Sequence, residues 1–129
     1  MDDSIEFRPP LNYRSALEEI LSADALLVCQ GAICNGQIPA KIYEYMYSQK
    51  TIIGICDPGG DTGTLLKRIN CPYVAALEDA DAIQECLHQF VSDISEQNYW
   101  VPDSNMIKQF SRRESSKALA DVLSKLLST

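Results

Sequence analysis

Ala25-Leu-Leu-Val-Cys29 is short and wholly apolar, and Thr51-Ile-Ile-Gly-Ile-Cys56 is short and rich in β-branched residues. Such runs predict strands buried on both faces, the state of a strand inside a parallel sheet. Between them lie a polar loop, Gln30 to Ile38, and a segment from Pro39 to about Ser48 that reads as a helix with proline in its first turn. A strand, a crossover helix and a second strand form the unit from which parallel sheets are built.

The same alternation extends outward. Upstream, Ala16, Leu17, Ile20 and Leu21 have helical spacing over Tyr13 to Leu21, and Ser4 to Arg8 alternates before Pro9-Pro10, which predicts a short strand entering a turn. Downstream, Asp57-Pro-Gly-Gly-Asp61 ends the second run, and Thr62 reads as the cap of a helix through Ile69. Pro72 to Ala76 predicts a weaker strand. A helix over Asp79 to Val91 follows, with Ala82, Ile83, Cys86, Leu87 and Phe90 as its apolar stripe. The predicted class is α/β, a Rossmann-like parallel sheet flanked by helices in three α/β/α layers. Residues 1–91 form its core. Residues 92–104 read as a linker crossing the surface, and residues 105–127 as a C-terminal amphipathic helix through Ile107, Phe110, Leu119, Val122, Leu123 and Leu126.

With 129 residues, 46% of them hydrophobic, the chain suits one domain, spanning 1–129, with one core. A net charge of -7 repels polyanions, and the basic residues are scattered apart from Lys67-Arg68 and Arg112-Arg113, which argues against nucleic acid as a partner. No apolar run is long enough for a membrane helix, and Met1-Asp-Asp lacks the features of a signal peptide, so a cytoplasmic protein is expected. Five cysteines without metal or redox spacing predict reduced thiols, buried as small apolar residues, and no metal site.

Ligands of open parallel sheets bind beyond the carboxyl ends of the strands, where helix N-termini converge. Two loops occupy that position. In Cys34-Asn-Gly-Gln-Ile-Pro39 the glycine permits close approach, and Ala40 and Lys41 would offer backbone N–H groups to an anion. On the helix that follows, Lys41, Glu44 and Ser48 share one face while Ile42 and Met46 share another. The Glu44 carboxylate could accept hydrogen bonds from two ribose hydroxyls, or pair with Lys41 on the surface. The second loop places Gly59 and Gly60 at a strand end, either as a phosphate contact or as a turn. His88 lies mid-helix without the neighbours of a catalytic base, and Tyr43 and Tyr45 are expected to pack against the sheet.

Together, Ala25-Leu-Leu-Val, Ile38-Pro-Ala-Lys-Ile-Tyr-Glu-Tyr45, Thr51-Ile-Ile-Gly-Ile, Asp57-Pro-Gly-Gly-Asp-Thr-Gly63 and the closing Gln109-Phe-Ser-Arg-Arg-Glu114 resemble the carboxyl-terminal domain of group 1 glycosyltransferases of the GT-B fold. The resemblance implies a domain that holds a nucleoside diphosphate sugar and needs no cofactor. An amino-terminal domain outside this chain would hold the acceptor and supply the base, so no catalytic residue is assigned to this chain. Glu44 matches the second glutamate of a Glu-x7-Glu pattern, which binds the ribose in that family. Gly36 stands where the first glutamate would approach the sugar, with Asn35 and Gln37 as neighbouring replacements. The implied donor site is Gly36, Gln37, Ile38, Ala40, Lys41, Glu44, Gly59 and Gly60.

A further opening strand and a basic glycine-rich turn, usual in that family, are not found in this sequence. The chain is thus expected to be a fragment or separate subunit, inactive alone, with Trp100 and the face around Phe110 lacking their neighbours. The resemblance also leaves open a membrane-surface association of the parent protein. Two rivals remain. One is a non-catalytic interaction module that lost the donor site, favoured by Gly36. The other is a receiver-like signalling domain with Asp57 as phosphate acceptor, disfavoured because the acidic pair and lysine it needs are missing from the strand ends.

Overall fold

The computed structural model describes residues 4–128. Its elements run α1 (Tyr13–Ser22), β1 (Ala25–Cys29), a single 3-10 turn (Ala32–Cys34), α2 (Lys41–Tyr47), β2 (Thr51–Ile55), α3 (Asp61–Arg68), β3 (Val74–Ala75), α4 (Ala80–Ser95), α5 (Ser104–Lys108) and α6 (Arg112–Leu127). The three strands form a small parallel sheet in the order β1-β2-β3, flanked by helices.

The central strand explains why the fold is readable from the sequence. All five residues of β2 are buried, Thr51 included, and Leu26 and Val28 join Ile52 on one face. Ile42, Met46 and Leu66, each wholly buried, bring α2 and α3 into the same core. Each such side chain contributes about 1.5–3 kcal/mol on leaving water. Gly54 is glycine because Leu66 lies over it: a Cβ there would come within 2.4 Å of Leu66 Cδ1. The other face is covered by α4, whose Phe90 meets Tyr73 edge-on at 5.5 Å, with Ala82, Ile83 and Cys86 packed on the core.

Several boundaries differ from those the sequence predicts. Ser4 to Arg8 forms no strand: Arg8 is drawn onto Glu6 and Glu19 at 2.9 and 2.7 Å, and Ile5 and Phe7 stay exposed with no strand beside them. Gly60 rather than Thr62 precedes the first turn of α3, because the Thr62 side chain is buried and turned toward the neighbouring loop. The helix after Pro39 begins at Lys41, and α4 continues past Val91 to Ser95, which shortens the linker.

The closing helix is two helices. Asp103 caps α5, and the Ser111 side chain accepts the Glu114 N–H at 3.2 Å to start α6. Ser111-Arg-Arg-Glu114 has the serine and glutamate spacing of a capping box, and this local preference divides an otherwise continuous apolar stripe. The linker crosses the amino end of β2, where the Thr51 hydroxyl donates to the Trp100 carbonyl at 2.6 Å and Gln49 Nε2 to that of Pro102 at 3.0 Å.

Candidate functional site

The two predicted loops meet at the carboxyl ends of β1 and β2, and hydrogen bonds knit them together. Gln30, directly after β1, is 8% exposed, and its Nε2 donates to the carbonyls of Cys34 and Gln37 at 2.6 and 2.9 Å. This one amide closes the first loop into a compact turn. Asn35 reaches across to the second loop: its Nδ2 donates to the Asp57 carboxylate, and its carbonyl accepts the Asp61 N–H at 2.8 Å. The buried Thr62 hydroxyl donates to the Gln37 carbonyl at 3.2 Å. The Asp57 carboxylate also accepts the Gly59 N–H at 2.8 Å.

The glycines then divide by environment. Gly60 is buried against the Asn35 side chain, where a Cβ would lie 3.2 Å from its amide. Gly63, one turn later, has no room at all, since a Cβ would sit 2.3 Å from the Asp57 carbonyl oxygen. Gly36 is the opposite case. It is exposed, a Cβ added there would meet nothing within 4 Å, and its backbone needs no left-handed conformation.

Helix α2 carries the remaining candidates. Ile42 and Met46 are wholly buried, which fixes the opposite face outward. Lys41 is exposed and forms no ion pair with Glu44 among the described residues. The N–H groups of Ala40 and Lys41 have no hydrogen-bond partner among the described residues, whereas those of Ile42 and Tyr43 donate to Pro39 and Ala40. Glu44 is half-buried and lines a cleft of about 490 Å³ between α1 and α2. Tyr13, Leu17 and Leu21 form one wall, Ala40, Tyr43 and Tyr47 the other, and Arg112 enters from the start of α6. Burial, and secondarily the charge of Glu44, push the Tyr45 phenol up.

Thus Ala40 and Glu44 share one cleft. Ile38 instead lines a second, with Tyr43, Asp61, Arg68 and Phe110, while Gly36 and Gln37 lie on the loop above. Within the chain Phe110 packs near Tyr43 at 6.2 Å and the Arg68 guanidinium at 5.2 Å, and Trp100 packs on the core. His88 is exposed on α4. Of the cysteines, all free, Cys56 and Cys71 are buried as the sequence predicts, but Cys34 and Cys86 are only partly buried and Cys29 is exposed. Burial pushes the Cys71 thiol up to about 12.

Sequence reasoning missed Gln30 and Arg112 as parts that build or border the site, and offered Asn35 as a sugar contact without its hydrogen bond to Asp57. A polar residue directly after an apolar strand is a usable signal for Gln30. Arg112 has none, entering the cleft that Glu44 lines only through the turn at Ser111.

Among the described residues, no group of three His, Cys, Asp or Glu side chains is placed to hold a metal ion, and no helix is long and apolar enough to cross a membrane. No protein-family model, curated protein or solved structure matches this chain.

Proposed function

We propose that this chain binds a nucleoside diphosphate sugar and serves as the donor half of a glycosyltransferase built from two Rossmann-like domains. The observation that carries the reading is Glu44, a half-buried carboxylate without an ion-pair partner among the described residues, in a cleft also lined by Ala40, whose N–H, like that of the next residue Lys41, has no hydrogen-bond partner among the described residues. In this arrangement Glu44 accepts from the ribose hydroxyls, the two N–H groups and Lys41 take the diphosphate, and Gly36 with Gln37 and Ile38 borders the sugar. Helix α2 has seven residues, so its end acts through individual N–H donors more than through an accumulated dipole. Asp57 and Asp61 flank Gly59-Gly60 and would repel phosphate, which gives the second loop the role of bracing the first. Transfer to an acceptor hydroxyl would use a base from the other domain.

Calorimetry with uridine, guanosine and adenosine diphosphates tests this. Binding of one of them is expected, with a loss of about tenfold in Glu44→Ala, equivalent to about 1.4 kcal/mol. The ribose role has a sharper signature: a 2′-deoxy nucleotide should bind more weakly than its ribose form to the unaltered chain, and equally to Glu44→Ala. If no nucleoside diphosphate binds at millimolar concentration, the donor reading is wrong.

A second reading has its own support. The hydrogen bonds of Asn35 to Asp57 and Asp61 close the crevice between the loops from within, and Gly36 offers no side chain to a sugar. A non-catalytic module descended from such a domain would have these features. Absence of nucleotide binding, with the fold intact, is its distinguishing outcome.

A further inference from the structure

We propose that the cleft of Glu44 takes guanine as its nucleobase, stacked on Tyr47 and recognised by the Arg112 guanidinium; the inference rests on the donor reading above and names the nucleotide. That reading sets the diphosphate at Ala40 and Lys41 and the ribose at Glu44. Base and phosphate leave a ribose from opposite ends of its ring, so the base falls about one helical turn beyond Glu44, toward the carboxyl end of α2. Tyr47 stands there, three positions after Glu44 and beside it on the helix surface. It is 53% exposed and borders three adjoining clefts, whereas Tyr43 lies against Phe110 and Tyr45 packs on the core. Among the described residues no aromatic ring pairs with Tyr47.

The opposite wall supplies the other face of a slot. Strands β1 and β2 are parallel, so the helices that lead into them, α1 and α2, run in the same direction. Leu21 and Tyr47 stand equally far ahead of Ala25 and Thr51, which pair across the sheet, and so they lie at one level of the cleft. Leu21 is 58% exposed. An exposed ring on one wall and an exposed apolar side chain on the other suit a flat aromatic guest, which each covers on one side.

Arg112 decides which base. It lines the Glu44 cleft and also a neighbouring one of about 410 Å³ with Tyr43 and Tyr47, which Ala40 does not border. The guanidinium therefore belongs to the base end of the site and not to the diphosphate end. It forms no ion pair among the described residues, although Glu44 lines the same cleft. Helix stability does not account for it, since a cation in the first turn of the 16-residue α6 opposes the helix dipole. A planar guanidinium offers paired donors, and guanine answers with two acceptors, O6 and N7, on one edge. Adenine presents an amino donor beside its N7, which opposes one of those donors. Uracil has a single acceptor there and a smaller ring for Tyr47 to cover.

Calorimetry on the full chain with guanosine, inosine, adenosine and uridine diphosphates, each up to millimolar concentration, tests the assignment. The guanosine and inosine forms share O6 and N7 and should bind about tenfold more tightly than the other two. 7-Deazaguanosine diphosphate, in which carbon replaces N7, should lose most of that advantage, and Arg112→Ala should abolish the preference. Tyr47→Ala should weaken every nucleotide about tenfold, with Tyr47→Phe unchanged. Both residues are exposed, so the circular dichroism spectrum should stay the same in each variant. Guanosine diphosphate no tighter than the adenosine or uridine form overturns the proposal, as does a preference that survives Arg112→Ala or an affinity indifferent to Tyr47→Ala. Should Arg112→Ala unfold, equal affinity with and without N7 on the unaltered chain overturns it instead. The two readings fail separately. Preferential binding of adenosine or uridine diphosphate that still weakens in Glu44→Ala removes guanine and keeps the donor site, while no binding of any nucleoside diphosphate removes both.

Discussion

Glycine 36 and glycine 63 stand on neighbouring loops and ask opposite things of a side chain. The open surroundings of Gly36 make Gly36→Ala neutral or slightly stabilising, by up to about 1 kcal/mol through the unfolded chain. At Gly63 the obstruction is backbone, the Asp57 carbonyl and Pro58 Cα, which cannot swing aside, so Gly63→Ala should lose about 2–3 kcal/mol and loosen both loops. Urea denaturation of the two variants checks this, and equal losses would refute the distinction. Tyr73 offers another residue-scale test. Its hydroxyl donates to the Asp93 carboxylate at 2.6 Å from a ring with no exposed surface, so Tyr73→Phe should cost about 1–2 kcal/mol in the same denaturation assay. At this scale the sequence is partly silent. A buried apolar residue announces itself by its type, but the difference between Gly36 and Gly63 lies in what approaches them from elsewhere in the chain.

Elements are more legible than their ends. Strands β1 and β2 have the predicted extents to within a residue, but only β2 is buried on both faces as predicted, since β1 leaves Leu27 and Cys29 exposed. The terminal segment reads as one continuous helix because its apolar spacing runs through Gln109, Phe110 and Ser111, while the signal that divides it is a serine and a glutamate three apart. Ser111→Ala should therefore weaken the start of α6 by about 1 kcal/mol. Faster hydrogen exchange in the first turn of α6, with α5 unaffected, is the expected result. If exchange stays unchanged, the cap is not what begins that helix. The strand expected at Ser4 to Arg8 fails for a related reason: alternation alone does not make a strand without a neighbour to pair with, and Arg8 finds carboxylates instead.

Across the whole molecule, the sheet has three strands among the described residues, and its third spans only Val74–Ala75, so the core rests heavily on β2 and its neighbours. Three ionisable groups sit in that core, Cys56, Cys71 and Tyr73, and burial raises each of them. Burial, reinforced by Asp93, pushes Tyr73 up to about 12, and burial pushes Cys71 up to about 12. Both keep their protons in the folded state at a pH where the unfolded chain, with ordinary values of 10.0 and 9.0, releases them. Stability is thus fully present below about pH 9 and declines as pH rises toward 12. Melting temperatures measured from pH 8 to 11 should fall across that window, and a flat profile would contradict a core in which Tyr73 and Cys71 stay protonated. The fold class is legible at this scale because alternating strands and helices admit few arrangements. The candidate site is legible only as two loops and one helix face. Its closure by Gln30 and Asn35, and the entry of Arg112 into the cleft that Glu44 lines, depend on tertiary geometry that no local pattern encodes. The open position at Gly36 also has a genetic meaning. Two glycine codons become glutamate codons by a single base change, and at this site the exchange meets no steric barrier in either direction. A side chain introduced at position 36 therefore starts in open space, and the fold sets no steric limit at its Cβ.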